Sequence, residues 1–219
     1  MKRRDLIALV SLELFNHYGE ANLTAVDIAN ELEISPGNLY YHFHGKEQIL
    51  AEIVSQFEAK MKLALDFDHH DQSLLVSGWL HLYVFLELLF AYRFLFRNSE
   101  ELSERYPDIG KRVARAQKSI RVALQGWIVD LCKGQQLAQV ATKSELINRL
   151  VDNLMLVMLF WVSFSRSLGH ELDRNLFVED ASMQILSLLS PYLCEQDVAA
   201  LVAVHSVYMS SLDSPQKNT

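Results

Sequence analysis

Apolar residues recur three or four positions apart along most of this chain of 219 residues, and this spacing restricts its fold more than any other feature. Side chains at that spacing lie on one face of an α-helix, whereas a half-buried strand needs an apolar residue at every second position. Only four prolines and eight glycines interrupt the pattern. The sequence therefore predicts an all-α protein with about nine or ten helices.

Three helices are predicted at the N-terminus. The first covers residues 2–18 and ends before a glycine, a common residue at the end of a helix. Thr24, with Asp27 three residues later, is a variant capping box that begins the second helix. Ser35 at the cap and Pro36 at the first helical position begin the third. Because only a short turn joins the second and third helices, the segment is predicted to be a helix-turn-helix.

The third helix has an apolar face and a polar N-terminal turn. Leu39 and Phe43 lie four residues apart, so both can pack against the first two helices. Residues 35–38 are then exposed at the end of a recognition helix that approaches DNA base edges. Asn38 can make a bidentate contact, typically to adenine, and Gly37 allows a close approach of the backbone. The pattern indicates a helix that reads DNA bases.

The neighbouring side chains have two interpretations. Tyr40, Tyr41 and His42 carry polar tips suited to phosphate oxygens or a thymine methyl group, and Thr24 lies where a helix N-terminus can hold a phosphate. Aromatic residues at helical spacing are also typical of an ordinary core, and Thr24 and Ser35 can serve only as caps. The order and spacing of these residues together favour DNA binding.

That order resembles the DNA-binding domain of the TetR family of transcriptional regulators. The matching segments are residues 23–29, residues 35–43 with their Leu-Tyr-Tyr-His-Phe sequence, and residues 46–50, which begin Lys-Glu. The resemblance implies a repressor that binds a palindromic double-stranded DNA operator as a homodimer. It also implies that Lys46 contacts the DNA backbone. The candidate DNA-binding residues are Thr24, Ser35, Pro36, Gly37, Asn38, Tyr40, Tyr41, His42 and Lys46.

The net charge gives no support to this prediction. The whole chain carries −7, and residues 1–62 contain six basic and nine acidic side chains, a net charge of −3. DNA binding is therefore inferred from the motif and not from bulk charge. Lys46 opposes the dipole of its own helix from the first turn, and a bound phosphate would remove that conflict. The basic residues 2–4 can act as a short arm that reaches the minor groove.

A polar stretch at residues 66–72 divides the sequence. We predict a helix-turn-helix domain with a connecting helix over residues 1–65, a helical ligand-binding and dimerisation domain over residues 66–213, and a disordered tail over residues 214–219. The helices predicted in the second domain cover residues 73–97, 99–105, 108–133, 143–168, 176–190 and 195–210.

The helix over residues 143–168 is apolar on nearly every side between positions 154 and 164. Such a helix must be covered all round, and a second subunit is a natural cover for one side. The interface predicted with the helix over residues 176–190 is an isologous four-helix bundle. Burial inside a single subunit is the alternative. The candidate interface residues are Leu154, Met158, Trp161, Ile185 and Leu189.

Large aromatic side chains are concentrated in the helix over residues 73–97. An aromatic stripe is most often ordinary core, but polar residues among the aromatic ones also suit an apolar cavity with a few orienting groups. A ligand of such a cavity would be a small lipophilic or aromatic effector. The candidate pocket residues are Trp79, Tyr83, Glu87, Phe90, Arg93 and Trp127. The alternative is a body that binds a protein partner and no small ligand.

Catalysis finds no support in the sequence. It contains no nucleophile paired with a base, no glycine-rich phosphate loop and no metal-ligand spacing, so no catalytic residue, cofactor or metal site is predicted. The adjacent residues His69 and His70 project in different directions and lie in the predicted hinge.

The expected location is the cytoplasm. Cys132 and Cys194 occur singly, which is typical of reduced, buried thiols. No signal peptide is recognised at the N-terminus. The apolar stretches 74–96 and 154–164 are interpreted as buried helices, because the first contains charged residues and the second is too short to span a membrane.

Overall fold

The structure, a computed structural model, describes residues 2–65, 74–137, 144–170 and 173–212. Within these ranges the chain forms eleven α-helices and two 3₁₀ turns and contains no strand. The all-α prediction is therefore confirmed, with slightly more helices than expected. The predicted hinge and the predicted C-terminal tail lie outside the described residues.

The helix bounds follow the predicted ones closely at the N-terminus. In chain order the helices are α1 (Arg3–Tyr18), α2 (Ala25–Glu31), α3 (Pro36–His42), α4 (Lys46–Leu65), α5 (Leu74–Ala91), α6 (Phe94–Arg97), α7 (Ser99–Arg105), α8 (Pro107–Lys133), α9 (Ser144–Ser167), α10 (Arg174–Leu189) and α11 (Glu195–Leu212). The 3₁₀ turns are Glu20–Asn22 and Ser190–Tyr192.

The single helix predicted over residues 73–97 is wrong, because the chain breaks between α5 and α6. The buried side chain of Asn16 explains how the break is accommodated. Its Nδ2 donates to the carbonyl oxygen of Ala91 at 2.7 Å, and its Oδ1 accepts from the amide of Phe94 at 3.1 Å. A helix end inside a protein needs such partners for its freed backbone groups. Asn16 therefore stabilises an interruption that local sequence does not announce.

The helices divide into two compact units. The first comprises Met1–Leu63 and Ala91–Gln117, and the second comprises Ala64–Phe90 and Lys118–Thr219. The predicted division at residue 65 placed all later residues in the second domain. In the structure, α6, α7 and the first part of α8 belong instead with the N-terminal helices.

Aromatic packing explains this grouping in the first unit. Phe15 of α1 packs against Phe94 with a ring-centroid distance of 5.4 Å. Phe57 of α4 lies 5.3 Å from the ring of Tyr92 and 5.7 Å from that of Phe96. All five side chains are buried. Burial of a large aromatic side chain stabilises a fold by roughly 2–3 kcal/mol, so the N-terminal helices depend on residues near position 95 for their core.

The second unit contains α5, α9, α10 and α11, together with the rest of α8. Helix α10 packs against both α9 and α11. Helices α5 and α9 are long and apolar enough to cross a membrane, but more than half of α5 is buried inside the chain, as in the core helix of a soluble protein. Of the two cysteines, Cys132 is buried as predicted, whereas Cys194 is exposed. The prediction of a second buried thiol is wrong because Cys194 precedes α11 at the surface.

Candidate nucleic-acid interface

The capping box predicted for α2 is confirmed. The hydroxyl oxygen of Thr24 accepts from the amide of Asp27 at 3.2 Å, and the amide of Thr24 donates to the Asp27 carboxylate at 2.8 Å. Hydrogen bonds from the side chain and the backbone of Thr24 lower the pKa of Asp27. Thr24 and Asp27 therefore each bond to the backbone amide of the other, and the two bonds fix the start of α2.

A tight turn separates α2 from α3. Glu33 has a φ of 52°, and the amide of Ile34 donates back to the carbonyl oxygen of Ala29 at 3.0 Å. Helix α3 then begins as predicted, because the hydroxyl oxygen of Ser35 accepts from the amide of Asn38 at 3.2 Å. The helix-turn-helix geometry thus follows from local capping at both helix starts.

Helix α3 presents the two faces that its sequence predicts. Leu39 and the following Phe43 are fully buried, which confirms their role in holding the helix to its neighbours. The turn at residues 35–38 is exposed, and Tyr41 is 83% exposed. Thr24 and Tyr40 are also exposed, whereas His42 is half-buried. The arrangement offers solvent a short polar turn followed by aromatic side chains with polar tips.

Lys46 differs from the other candidates because its ammonium group is already engaged. Its Nζ donates to the carbonyl oxygens of Glu20 at 3.0 Å and Leu23 at 2.7 Å, and it lies 2.6 Å from the Glu20 carboxylate. The side chain is only 17% exposed. The macrodipole argument for a bound phosphate is therefore corrected, since Glu20 already supplies the negative charge that Lys46 needs.

The carboxylate of Glu20 also binds the far end of α7. The hydroxyl group of Tyr106 donates to Glu20 at 2.8 Å, and Arg105 approaches the other carboxylate oxygen at 3.5 Å. Burial, followed by the neighbouring Glu20 charge, raises the pKa of Tyr106, so its phenol stays protonated and donates. We call Glu20, Lys46, Arg105 and Tyr106 the Glu20 cluster. It joins the turn after α1, the start of α4 and the α7–α8 junction, and sequence spacing gives no signal for it.

The candidate pocket residues do not converge on one cavity. Of the six, only Trp127 lines an apolar cavity of about 30 Å³ in the second unit, and none lines the larger pocket of about 410 Å³ formed mainly by α9 and α10 residues. Trp79 and Tyr83 are fully buried and bond to each other, Phe90 packs on Phe177, and Glu87 accepts from Tyr208. Arg93 belongs to the first unit. These six residues therefore do not line one cavity among the described residues, because tight packing uses most of them as core.

The cavity is small because an indole ring fills the adjacent space. A side-chain carbon added at Gly78 would lie only 2.1 Å from Nε1 of Trp127, so glycine is what lets the indole pack directly on α5. The indole N–H donates to the carbonyl oxygen of Leu74 at 3.3 Å, a long hydrogen bond.

Four of the five predicted interface residues lie inside their own chain. Leu154, Met158, Ile185 and Leu189 are at most 3% exposed, and Trp161 is half-buried. A side chain buried in its own subunit has no surface left for a second one, so this residue set is corrected. The same helices expose a different apolar stripe, which we call the α9–α10 stripe. It consists of Leu156, Phe160, Phe164, Leu168, Leu176 and Met183.

No group of three or more metal-ligating side chains occurs among the described residues. His69 and His70 lie outside them.

Two protein-family models match this chain. Residues 7–53 match the model of the bacterial regulatory proteins of the tetR family, and residues 56–201 match the TetR model, described as a bacterial transcriptional repressor. A TetR-family regulator from Marinobacter aquaeolei has a solved structure with 30% identity and a TM-score of 0.82, and the match covers 95% of this chain and 99% of that one.

Two further proteins are similar over most of their length. The negative transcriptional regulator of the biofilm operon icaADBC, IcaR of Staphylococcus epidermidis, is 24% identical over 201 residues, covering 87% of this chain and 98% of that protein. A γ-butyrolactone receptor described as ArpA-like shares the fold, with 14% identity, a TM-score of 0.67 and coverage of 96% and 100%.

The helix-turn-helix and the all-helical body define a DNA-binding transcriptional regulator. Within that class, the chain belongs to the TetR family.

Proposed function

We propose that this protein is a cytoplasmic repressor that binds a palindromic operator as a homodimer and reads it with the N-terminal turn of α3. The observation that carries the proposal is the exposed polar turn at residues 35–38 on a helix whose Leu39 and Phe43 are fully buried. A helix held in this way can enter the major groove without rearranging. The likeness to a named negative regulator supports repression over activation.

In vitro selection of DNA bound by the full chain tests this proposal. We expect two inverted half-sites about one DNA turn apart, because each subunit of a two-fold dimer reads one half. Selection of a single unpaired site, or of no sequence at all, would contradict it.

Asn38 is proposed as the base-reading residue of α3. Asn38→Ala should relax the preference at one position of each half-site by about 1–3 kcal/mol, with little effect on random DNA. The matched control is Asn30→Ala, an exposed asparagine of α2. Equal loss on operator and random DNA would show that Asn38 does not read a base.

The proposed dimer face is the α9–α10 stripe. Three of its residues, Leu156, Phe160 and Phe164, lie on α9 and Leu168 directly follows that helix; the four are spaced by four positions and are each at least 40% exposed. A row of exposed large apolar side chains is typical of a protein interface. Paired with the same stripe of a second subunit, it gives the isologous helical interface that a two-fold dimer requires.

An effector is proposed to enter beside Trp127. The lining of the cavity is apolar apart from His81, which suits a small lipophilic or aromatic molecule. Because the cavity holds only about 30 Å³, such a ligand must displace the indole from Gly78. We expect apolar ligands to raise the melting temperature, and Trp127→Ala to shift the preferred ligand size upwards.

The small cavity also favours the second candidate, a body that binds a protein partner and no small ligand. A screen in which neither the wild type nor Trp127→Ala is stabilised by any lipophilic compound would support this alternative.

A further inference from the structure

Arg4, in the first turn of α1, makes polar contacts with two other helices. Its Nη1 donates to the carbonyl oxygen of His42, the last residue of α3, at 2.8 Å. Its Nε and Nη2 donate to one oxygen of Glu52 in α4, at 3.3 and 3.0 Å. The guanidinium carbon lies 4.2 Å from the centre of the Phe43 ring. One side chain thus contacts α4, the end of α3 and the aromatic residue that follows it.

These contacts meet a physical need of α3. A helix of seven residues has little stability of its own, and the carbonyl groups of its last turn have no partner within the helix. A cation at this end also interacts favourably with the helix dipole. Arg4 supplies both the hydrogen bond and the charge at His42, while Glu52 holds the guanidinium in place.

We propose that Arg4 is a positioning residue for the recognition helix and not part of a minor-groove arm. The inference rests on the proposed role of α3 in reading the operator. Arg4 fixes the C-terminal end of α3 relative to α1 and α4, and Ser35 fixes its N-terminal start. Lys2, Arg3 and Arg4 are all exposed, but only the Arg4 side chain has hydrogen-bond partners among the described residues, so Lys2 and Arg3 are the residues of the basic N-terminus left to reach DNA.

The geometry requires arginine in particular. Its planar guanidinium has five N–H donors in a fixed arrangement, so it can bond a carbonyl oxygen and a carboxylate at once while lying against a ring. A lysine at this position keeps the charge but cannot reproduce all three contacts. A direct phosphate contact, in contrast, depends mainly on the charge. Arg4→Lys therefore separates the two roles.

The test measures operator and random-DNA affinities of the full chain over a range of salt concentrations. Arg4→Ala and Arg4→Lys should each weaken operator binding about tenfold, the order expected for lost charge-assisted hydrogen bonds. Random-DNA affinity and the salt slope should be unchanged. Glu52→Gln should reproduce part of the loss, although Glu52 carries no charge attractive to DNA. Arg121→Ala, which removes a half-exposed Arg–Asp pair between α8 and α9, is the matched control and should have no effect.

A salt slope that falls by about one unit in Arg4→Ala and recovers in Arg4→Lys would overturn the proposal, because it indicates a phosphate contact. Melting temperatures of all variants exclude general unfolding as the cause.

A second measurement needs no DNA and separates this inference from the proposed function. Amide hydrogen exchange at residues 39–43 should accelerate about tenfold in Arg4→Ala, since the end of α3 loses its cap. Unchanged exchange would overturn the positioning role even if the protein binds its operator. Faster exchange in a protein that binds no DNA would support the local role of Arg4 while contradicting the proposed function.

Discussion

The two compact units use buried polar groups in different ways. In the first unit, the buried side chains of Glu20 and Asn16 bond the ends of helices, Glu20 at the start of α4 and Asn16 at the break between α5 and α6. In the second unit, polar side chains form a chain between the middles of packed helices. Contacts at helix ends fix where each helix begins and ends. This suits the first unit, because its helix-turn-helix must present a fixed surface to DNA.

The chain in the second unit starts at Trp79, whose indole N–H donates to the Tyr83 hydroxyl group at 2.7 Å. That hydroxyl group lies 3.0 Å from Nδ1 of His205, and the Tyr83 ring stacks on Tyr208 at 4.0 Å. Tyr208 donates to Glu87 at 2.6 Å. Burial raises the pKa of Tyr83 to about 12, so both tyrosines stay protonated at neutral pH. This network binds α5 to α11 without fixing the end of either helix.

The largest expected effect tests whether the second unit alone holds the dimer together. Phe164→Asp puts a charge in the α9–α10 stripe, so the subunits should separate and operator affinity should fall at least about 100-fold. Sedimentation velocity measures the dissociation. Val122→Asp, at another exposed apolar position, is the control and should stay dimeric. A Phe164→Asp variant that stays fully dimeric would show that the α9–α10 stripe is not the dimer interface.

The next effect tests the Glu20 cluster. Glu20→Ala should lower the free energy of unfolding by about 3 kcal/mol, because it leaves the largely buried ammonium group of Lys46 without its charge partner. Chemical denaturation of Glu20→Ala, Lys46→Ala and the double variant gives the coupling energy. Additive losses would show that the pair does not stabilise the first unit.

The Lys46→Ala variant also tests whether Lys46 contacts DNA. If its ammonium group serves only the Glu20 cluster, Lys46→Ala should leave the salt slope of DNA binding unchanged. A slope lower by about one unit would instead show that Lys46 reaches a phosphate, as the family resemblance implies.

A smaller effect compares equivalent caps in the two units. Thr24 caps α2, and the Asp173 carboxylate caps α10 by accepting from the amides of Asn175 and Leu176. Replacing either residue by alanine should cost about 1 kcal/mol of stability. Only Thr24→Ala should also weaken operator binding. Equal DNA affinities for the two variants would show that the start of α2 does not contribute to recognition.

The smallest effect concerns pH. Burial lowers the pKa of His205 below its usual 6.5, partly opposed by the charge of Glu179. The folded state therefore disfavours the protonated imidazole, so this contribution to stability is complete above about pH 6.5 and decreases as the pH falls through the lower folded pKa. Melting temperatures between pH 5 and 8 measure it, and His205→Gln should flatten the profile. If His205→Gln leaves the pH profile of the melting temperature unchanged, the pH dependence comes from other groups.

Local chemistry explains which features the sequence predicts well. Thr24 and Ser35 cap helices through bonds to residues only three positions away, so a short window contains the whole interaction. Leu39 and Phe43 follow from helical spacing alone. The contact between Lys46 and Glu20 could not be predicted, because Glu20 lies 26 positions earlier, in a separate turn.

The body was harder to predict because an apolar helix does not reveal which of its faces the same chain covers. Leu154 and Leu156 are both apolar and lie two positions apart, yet the first is 1% exposed and the second 57%. Which of the two is covered depends on tertiary packing, such as that of α10 on α9, and local sequence does not show it. His205 and Tyr208 were missed for the same reason, since each meets a partner on α5 that lies more than 100 positions away.

The bond from Asn16 to the α5–α6 break has a consequence for synthesis on the ribosome. The core around Phe15 and Phe57 is completed by Tyr92, Phe94 and Phe96, so the DNA-reading helices cannot finish folding when residue 65 emerges. The ring partners of Phe15 and Phe57 are complete only when the chain has grown past Phe96. A fragment that stops at residue 65 would leave Phe15 and Phe57 without these partners.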